Sequence, residues 1–172
     1  FSIYESGKCW KGLDSNIKNK KFLELRDEEV IYQAGSSWEN LSSEVRNRKF
    51  LELKNDLWIY KSGLEWNDLD NESKNKKFLE IQDEEIAYLA GKNWQGLSSE
   101  AKNKKFAEMK DERWICNAGR YWCELSDDVK NKKFIELKNE DIIYEAGLFW
   151  SGLSDEVKNR KFLETKNEEL IY

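Results

Sequence analysis

The chain has 172 residues, of which 37% are charged and 13% aromatic, and its net charge is −5 at pH 7. This aromatic content excludes a disordered chain, because disordered segments lack the apolar surface whose burial offsets the entropy of ordering. The absence of histidine excludes an imidazole base, a Ser-His or Cys-His nucleophile pair and a His-bearing zinc site.

A block of 28 residues recurs six times along the chain. The copies begin near residues 3, 31, 59, 87, 115 and 143, mostly with Ile-Tyr, and are numbered one to six in that order. A fixed period of this size is typical of repeat arrays, in which each unit buries its apolar face by stacking on its neighbours. Since proline is absent and the glycines recur with the period, we expect a single array over residues 1–172. Both ends fall inside a predicted helix, so we expect a piece of a longer protein.

Each copy opens with a predicted helix, called the first helix. In copy two it begins at Asp27, because a cap-forming residue followed by acidic residues is typical of a helix N-terminus. Apolar residues at every third or fourth position predict a buried stripe on this helix. The stripe comprises Ile31, Ala34, Trp38 and Leu41.

A glycine lies in the first helix of every copy, as Gly35 does in copy two. A mid-helix glycine costs about 1 kcal/mol relative to alanine, so its recurrence indicates that another backbone passes close by. The alternative is that the helix ends at the glycine in a left-handed cap and leaves the tryptophan in a loop. We expect a continuous helix, because the apolar period runs through the glycine undisturbed.

A second helix is predicted after Ser42 in copy two, and cap-forming residues stand at the equivalent position of every copy. Its apolar residues spread around about two thirds of the circumference, which predicts packing on more than one side. Each copy is therefore an αα-hairpin. The predicted fold is an all-α array of about six stacked hairpins.

The Trp-x-x-Leu sequence of each copy, as at Trp38 to Leu41, resembles the start of a tetratricopeptide repeat. Because the period is 28 residues and not about 34, the resemblance is to the α-solenoids as a class. It implies helical hairpins stacked into a superhelix.

Several residues are identical in all six copies and predict the structural framework. The tryptophans are Trp10, Trp38, Trp66, Trp94, Trp122 and Trp150. The asparagines are Asn19, Asn47, Asn75, Asn103, Asn131 and Asn159. By helical angle the asparagine falls inside the apolar arc, so we expect buried side chains that form a hydrogen-bond ladder to a hairpin end or to the adjacent copy. A row of ligand-binding asparagines is the alternative.

The sequence KNKKF, or a close variant, places three cations together in every copy. In copy two Arg46, Arg48 and Lys49 point in different directions around their helix, and Glu52 is within reach of the last two. With a net charge of −5, the chain lacks the basic face of a phosphate binder. Nucleic-acid binding is therefore disfavoured, and it would require stacking to align one row of the cations.

Four positions vary almost freely between copies, and on a helix they share the face opposite the buried stripe. In copy two they are Gln33, Ser36, Ser37 and Asn40. A constant scaffold with one variable face is how repeat arrays present a recognition surface, although neutral drift on a solvated face gives the same pattern. Large apolar groups on this face favour an interface. The predicted partner-binding residues are Leu64, Glu65, Lys92, Arg120, Tyr121, Leu148 and Phe149.

We therefore expect a non-enzymatic scaffold that binds a protein or peptide through the variable face of its Trp-containing helices. The carboxylates recur with the period as caps and ion-pair partners, so no pair stands out as an acid and a base. We expect no cofactor, no metal and no small-molecule substrate. The main alternative is a structural array that spaces other domains or self-associates head to tail.

The cysteines and the hydropathy bear on the compartment. Cys9, Cys116 and Cys123 are odd in number and stand at unrelated positions of the repeat, so they form no disulfide framework and favour a reducing, intracellular compartment. No apolar run approaches the ~18 residues of a membrane span.

Overall fold

A computed structural model describes residues 2–168 of the chain. Within these residues every regular element is an α-helix, and first and second helices alternate along the chain. In order they are α1 (Ile3–Cys9), α2 (Ser15–Glu24), α3 (Glu28–Ser37), α4 (Ser43–Glu52), α5 (Asp56–Glu65), α6 (Asn71–Glu80), α7 (Glu84–Asn93), α8 (Ser99–Glu108), α9 (Glu112–Tyr121), α10 (Asp127–Glu136), α11 (Glu140–Phe149) and α12 (Asp155–Glu164). The predicted all-α array, with two helices in each copy, is confirmed.

The helices begin where the cap-forming residues predict. In copy two the side chain of Asp27 accepts a hydrogen bond from the backbone of Val30, and that of Ser42 accepts one from Val45. The same arrangement recurs at the start of α5 to α12. Each cap satisfies a backbone N–H that has no partner inside its helix. The helix predicted after Asn167 lies outside the described residues.

The first helix is continuous through its glycine, as expected, but it is shorter than predicted. In copy two α3 ends at Ser37, and Trp38 is the C-cap residue in an extended conformation, with its N–H bonded to the carbonyl of Ala34. The placement of Trp38 and Leu41 on the helix is therefore wrong. The chain must turn into α4 within a few residues, and it does so through a left-handed residue, Asn40, whose φ is 65°.

The chain divides into two compact units, one up to Leu97 and one from Ser98. Unit 1 contains α1 to α7 and unit 2 contains α8 to α12. Within each unit the first helices of adjacent copies pack side by side, and so do the second helices. The expectation of one continuous array over residues 1–172 stays a prediction.

Within each unit, constant tryptophans link a copy to the copy before it. The indole of Trp38 lies over Gly7, and a Cβ at that glycine would overlap the ring. Trp66 lies over Gly35 in the same way. The prediction that another backbone passes close to the glycine is therefore wrong, because the group that packs against it is an indole. The ring also forms a directional bond, since Trp38 Nε1 donates to the carbonyl oxygen of Tyr4 at 3.0 Å.

Phenylalanines from the second helices complete this core. Phe22 is fully buried, with its ring centroid 6.3 Å from that of Trp38 and 6.0 Å from that of Trp66. Phe106 and Trp150 repeat the tilted contact in unit 2 at 5.6 Å. Trp10, in copy one, departs from this pattern, because its exposed fraction is 62%. The core position expected for Trp10 is therefore wrong, whereas the other five constant tryptophans are buried.

The asparagine ladder forms between copies. Asn47 Oδ1 accepts a hydrogen bond at 2.9 Å from the backbone N–H of Asp70. Asp70 is the N-cap residue of α6. The corresponding bonds join Asn19 to Ser42, Asn103 to Ser126 and Asn131 to Ser154. The predicted ladder is confirmed for these copies, but the predicted burial is wrong. These side chains are half-buried and Asn159 is exposed, because the amide reaches along the surface to the next cap.

Lysine is the most buried type of charged residue among the described residues. Lys49 is 4% exposed, and its Nζ donates to the carbonyl oxygen of Leu25, at the end of α2 in the preceding copy. Lys161 makes the same bond to Leu137 in unit 2. The carbonyls at a helix C-terminus lack partners in their own helix and carry partial negative charge, so a buried ammonium is well placed there.

A second lysine of the same segment reaches forward. Lys74 Nζ donates to the carbonyl oxygen of Gln95 in the following turn, and burial lowers the pKa of this lysine. Lys18 and Lys130 bond equivalent turns at Glu39 and Ser151. The recurrent KNKK segment is therefore a structural connector between copies.

Candidate interaction surface

The variable face consists of the exposed side of the first helices. In copy two it includes Gln33, Ser36 and Ser37, which share a side of α3. Asn40 does not belong to it, because it is the left-handed turn residue, and glycine at the same position in copies one, four and six also has positive φ. The variation expected to be functional at that position is thus explained by the turn, and inclusion of Asn40 in the face was wrong.

A row of tyrosines borders the variable face and uses part of it for packing between copies. Tyr4 Oη donates to Ser37 Oγ at 3.3 Å, and Asn93 Nδ2 donates to Tyr60 Oη at 2.9 Å. Glu65 occupies the position of Ser37 in copy three. Burial, followed by the negative charge of Glu65, raises the pKa of Tyr32. In unit 1 the last residue of a first helix is therefore a neighbour of the preceding copy's tyrosine.

In unit 2 a contact between an arginine and an aromatic ring replaces the polar contact between tyrosine and the last residue of the next first helix. Cys116 stands where the other copies have tyrosine, and Phe149 stands where copy two has serine. The guanidinium of Arg120 lies over the Phe149 ring, 3.7 Å from its centroid, and 5.0 Å from the centroid of Tyr121. Arginine stacks on aromatic faces in this way through cation–π attraction and dispersion.

Cys116 is buried below these side chains, and its thiol has low reactivity. It is 6% exposed, and its Sγ lies 3.9 Å from Glu145 Oε2, to which the thiol donates. Burial, followed by the negative charge of Glu145, raises the pKa of the thiol to about 11. A thiol with this pKa stays protonated at neutral pH and is a poor nucleophile.

The residues expected to bind a partner all lie at the surface, in two groups. Unit 1 carries Leu64, Glu65 and Lys92, which are exposed on α5 and α7. Unit 2 carries Arg120, Tyr121, Leu148 and Phe149 on α9 and α11. In this second group the exposed fractions of Tyr121, Leu148 and Phe149 are 45%, 60% and 43%. Unit 2 thus brings three exposed large apolar side chains of the variable face onto the adjacent helices α9 and α11.

One surface cluster was missed at the level of the sequence. Trp58 on α5 lies against Tyr32 on α3 with ring centroids 5.5 Å apart, and Lys61 Nζ lies 5.1 Å from the Trp58 ring centroid. The signal was present, because the equivalent position in copies two, four and six holds Val or Ile. Both rings are half-buried, so this cluster is packed more deeply than the group in unit 2.

The cations of the KNKK segment have different surroundings. In copy three Lys74 and Lys77 are engaged with backbone carbonyls. The cation between them is exposed in every copy. In copy two it is Arg48, which pairs with Glu44 at 3.5 Å and not with Glu52 as expected, while Lys49 pairs with Glu52 at 3.2 Å. Nucleic-acid binding through this row stays a prediction that the sequence disfavours.

Some classes of site are not found within residues 2–168. No cluster of three acidic or cysteine side chains is arranged to hold a metal ion there. None of the helices in that range combines the length and the apolar character that a bilayer crossing requires.

The fold defines the class of protein, a helical-hairpin repeat of the α-solenoid type. Comparison of the chain with protein-family models, curated proteins and solved structures gave no match.

Proposed function

We propose that the protein is a non-enzymatic scaffold that binds a protein or peptide through the variable face of its first helices. The observation that carries the proposal is the group of large apolar side chains exposed on α9 and α11, with Tyr121 and Phe149 at equivalent positions of adjacent copies. Clustered exposed apolar groups are typical of interaction sites, and tyrosine is a frequent hot-spot residue.

The proposed mechanism is rigid display. Within each unit, adjacent copies are fixed to one another by an indole over a glycine, by an asparagine bond to the next cap and by buried lysines bonded to backbone carbonyls. The axes of adjacent first helices are therefore held about 8–10 Å apart, the usual distance between packed helices. A partner would meet a surface that is already ordered, which reduces the entropy lost on binding.

The test is selection of a random 12-residue peptide display library against the immobilised chain. The double variant Tyr121→Ser/Phe149→Ser should lose the selected binders. Leu163→Ser is the matched control, because it also removes an exposed apolar side chain but lies on a second helix, α12. Selected peptides that bind the double variant and the wild-type chain equally would refute the proposed surface.

A second candidate function, self-association, is favoured by an apolar groove on copy one. The groove has a volume of about 590 Å³, and Ile3, Trp10 and Ile17 line it with large exposed fractions. In later copies of unit 1 the equivalent tryptophan is covered by the preceding hairpin, so a hairpin of the same repeat, such as one from a second chain, has the matching shape and chemistry. Sedimentation velocity over a hundredfold range of concentration tests this. A concentration-independent monomer that is unchanged by Trp10→Glu would refute it.

A further inference from the structure

The guanidinium of Arg120 is held in place yet has no anionic partner. One face of the planar guanidinium lies over the Phe149 ring, 3.7 Å from its centroid. The N–H groups point outward from the edge of the plane, where they can donate to an anion. Within residues 2–168 no carboxylate lies within ion-pair distance of it, whereas Arg46 is paired with Asp68 at 2.7 Å. Glu145, on the adjacent helix, receives the thiol of Cys116 instead.

Two aromatic rings contact the guanidinium of Arg120. Leu148 follows Arg120 at the equivalent position of the next copy, and Tyr121 and Phe149 flank the guanidinium. We refer to Arg120, Tyr121, Leu148 and Phe149 as the Arg120 cluster. Rings beside a cation displace water from it, so an anion that pairs with this guanidinium meets weaker solvent screening than at an open surface.

The corresponding positions in unit 1 lack this combination. Copy two has Ser36 and Ser37, and copy four has Lys92 and Asn93. Asn93 donates its amide to Tyr60 and so belongs to the packing between copies. Arg160 is also an exposed arginine of unit 2, but it lies on the second helix α12 outside the variable face and pairs with Glu164, which makes it a matched control.

We propose that the Arg120 cluster binds a peptide segment in which an Asp or Glu side chain lies next to a large apolar side chain. This inference rests on the proposed function and adds the chemistry of the partner. The carboxylate would accept two N–H groups from the edge of the guanidinium, a bidentate geometry that lysine cannot offer. The apolar side chain would lie on Leu148 and Phe149, whose exposed surfaces border the guanidinium. The carboxylate of such a peptide is complementary in charge to Arg120, which has no ion pair among the described residues. Its apolar side chain is complementary to the exposed aromatic ring of Phe149.

The peptide selection that tests the proposed function also tests this inference, when it is repeated on Arg120→Gln and on Arg160→Gln. Peptides selected on the wild-type chain should be enriched in Asp or Glu within two residues of Phe, Leu, Met or Trp. The enrichment should disappear on Arg120→Gln and persist on Arg160→Gln. Binders that map to the cluster without acidic enrichment would overturn the inference and leave the proposed function standing, whereas the absence of any binder would overturn both.

Affinity measurements sharpen the outcome. The most enriched peptide and its twin, with Gln in place of Asp or Glu, are compared by fluorescence anisotropy. We expect the acidic peptide to bind wild type about tenfold more tightly, since charge-assisted bidentate bonds commonly contribute that much or more. Arg120→Gln should remove this ratio, and Arg120→Lys should keep only part of it. An unchanged ratio in Arg120→Gln would overturn the assignment of Arg120.

Discussion

Two glycines at the same position of the repeat should respond to alanine in opposite directions. At Gly63 on α5, a Cβ would overlap the indole of Trp94 in the next copy. At Gly147 on α11, the nearest atom to a Cβ among the described residues is in Phe134 at 3.7 Å, an ordinary van der Waals contact. Both glycines lie third from the end of a ten-residue helix, so the helical context is the same.

The magnitudes follow from two effects of the added methyl group. Alanine is favoured over glycine inside a helix by about 1 kcal/mol, and Gly147→Ala should gain up to that amount. Gly63→Ala gains the same preference but overpacks the core, which typically costs about 1–3 kcal/mol. The upper end applies, because the ring of Trp94 is rigid and is anchored by the bond from its Nε1 to the carbonyl oxygen of Tyr60 at 3.0 Å. We expect a net loss of about 2 kcal/mol for Gly63→Ala and a separation of about 3 kcal/mol between the variants.

Thermal and urea unfolding, followed by far-ultraviolet circular dichroism and by tryptophan fluorescence, measure the two variants against the wild-type chain. For a chain of this size the separation corresponds to about 6–12 °C in Tm, at about 2–4 °C per kcal/mol. If both variants are stabilised, or if they are destabilised equally, the claim that the glycine makes room for the indole of the next copy is refuted.

Three further predictions use matched residues in the same way. Trp94→Ala removes a buried ring and should cost about 3–5 kcal/mol, whereas Trp10→Ala, at a 62% exposed residue, should cost about 1 kcal/mol or less; equal urea midpoints for the two would contradict the packing described for them. Lys77→Met leaves carbonyls of the preceding copy without their buried donor and should cost about 1–3 kcal/mol, while Lys21→Met, at a half-exposed side chain, should be nearly neutral in the same assay. Cys116 should be alkylated by iodoacetamide at pH 8 much more slowly than the two exposed cysteines, and its rate should rise with pH towards its pKa of about 11, because only the thiolate reacts; peptide mass spectrometry that finds equal rates at pH 8 would contradict its burial.

The features that could be predicted from the sequence are those that depend on nearby residues. The helix starts at Asp27 and Ser42 follow from cap chemistry that involves only the next three residues. The end of the first helix could not be placed, because helical periodicity continues through Trp38 and nothing local marks the turn except the variable residue at Asn40. The period itself fixed the number of hairpins.

The burial of the lysines could not be predicted for a different reason. On a helical wheel Lys49 has a glutamate within reach and belongs at the surface, since a charged residue is rarely buried without a partner. Its partner is the carbonyl of Leu25, which is 24 residues earlier and belongs to another hairpin. A signal was nevertheless present, because this position is lysine in every copy, while Arg46 and Arg48 alternate with lysine at theirs. For the candidate surface, the exposure of Leu148 was predictable, but the stacking of Arg120 on Phe149 depends on the packing of two helices.

The KNKK connector also sets a rule for changes in the length of the array. Asn47 and Lys74 reach one copy forward and Lys49 reaches one copy back, and bonds of the same kind recur between other neighbouring hairpins. Insertion or removal of 28 residues inside a unit therefore brings equivalent donors and acceptors together between the new neighbours. Any other change in length leaves capped helix ends and buried ammonium groups without their partners. A gene that encodes such a repeat can lengthen or shorten by whole copies while each intermediate remains foldable.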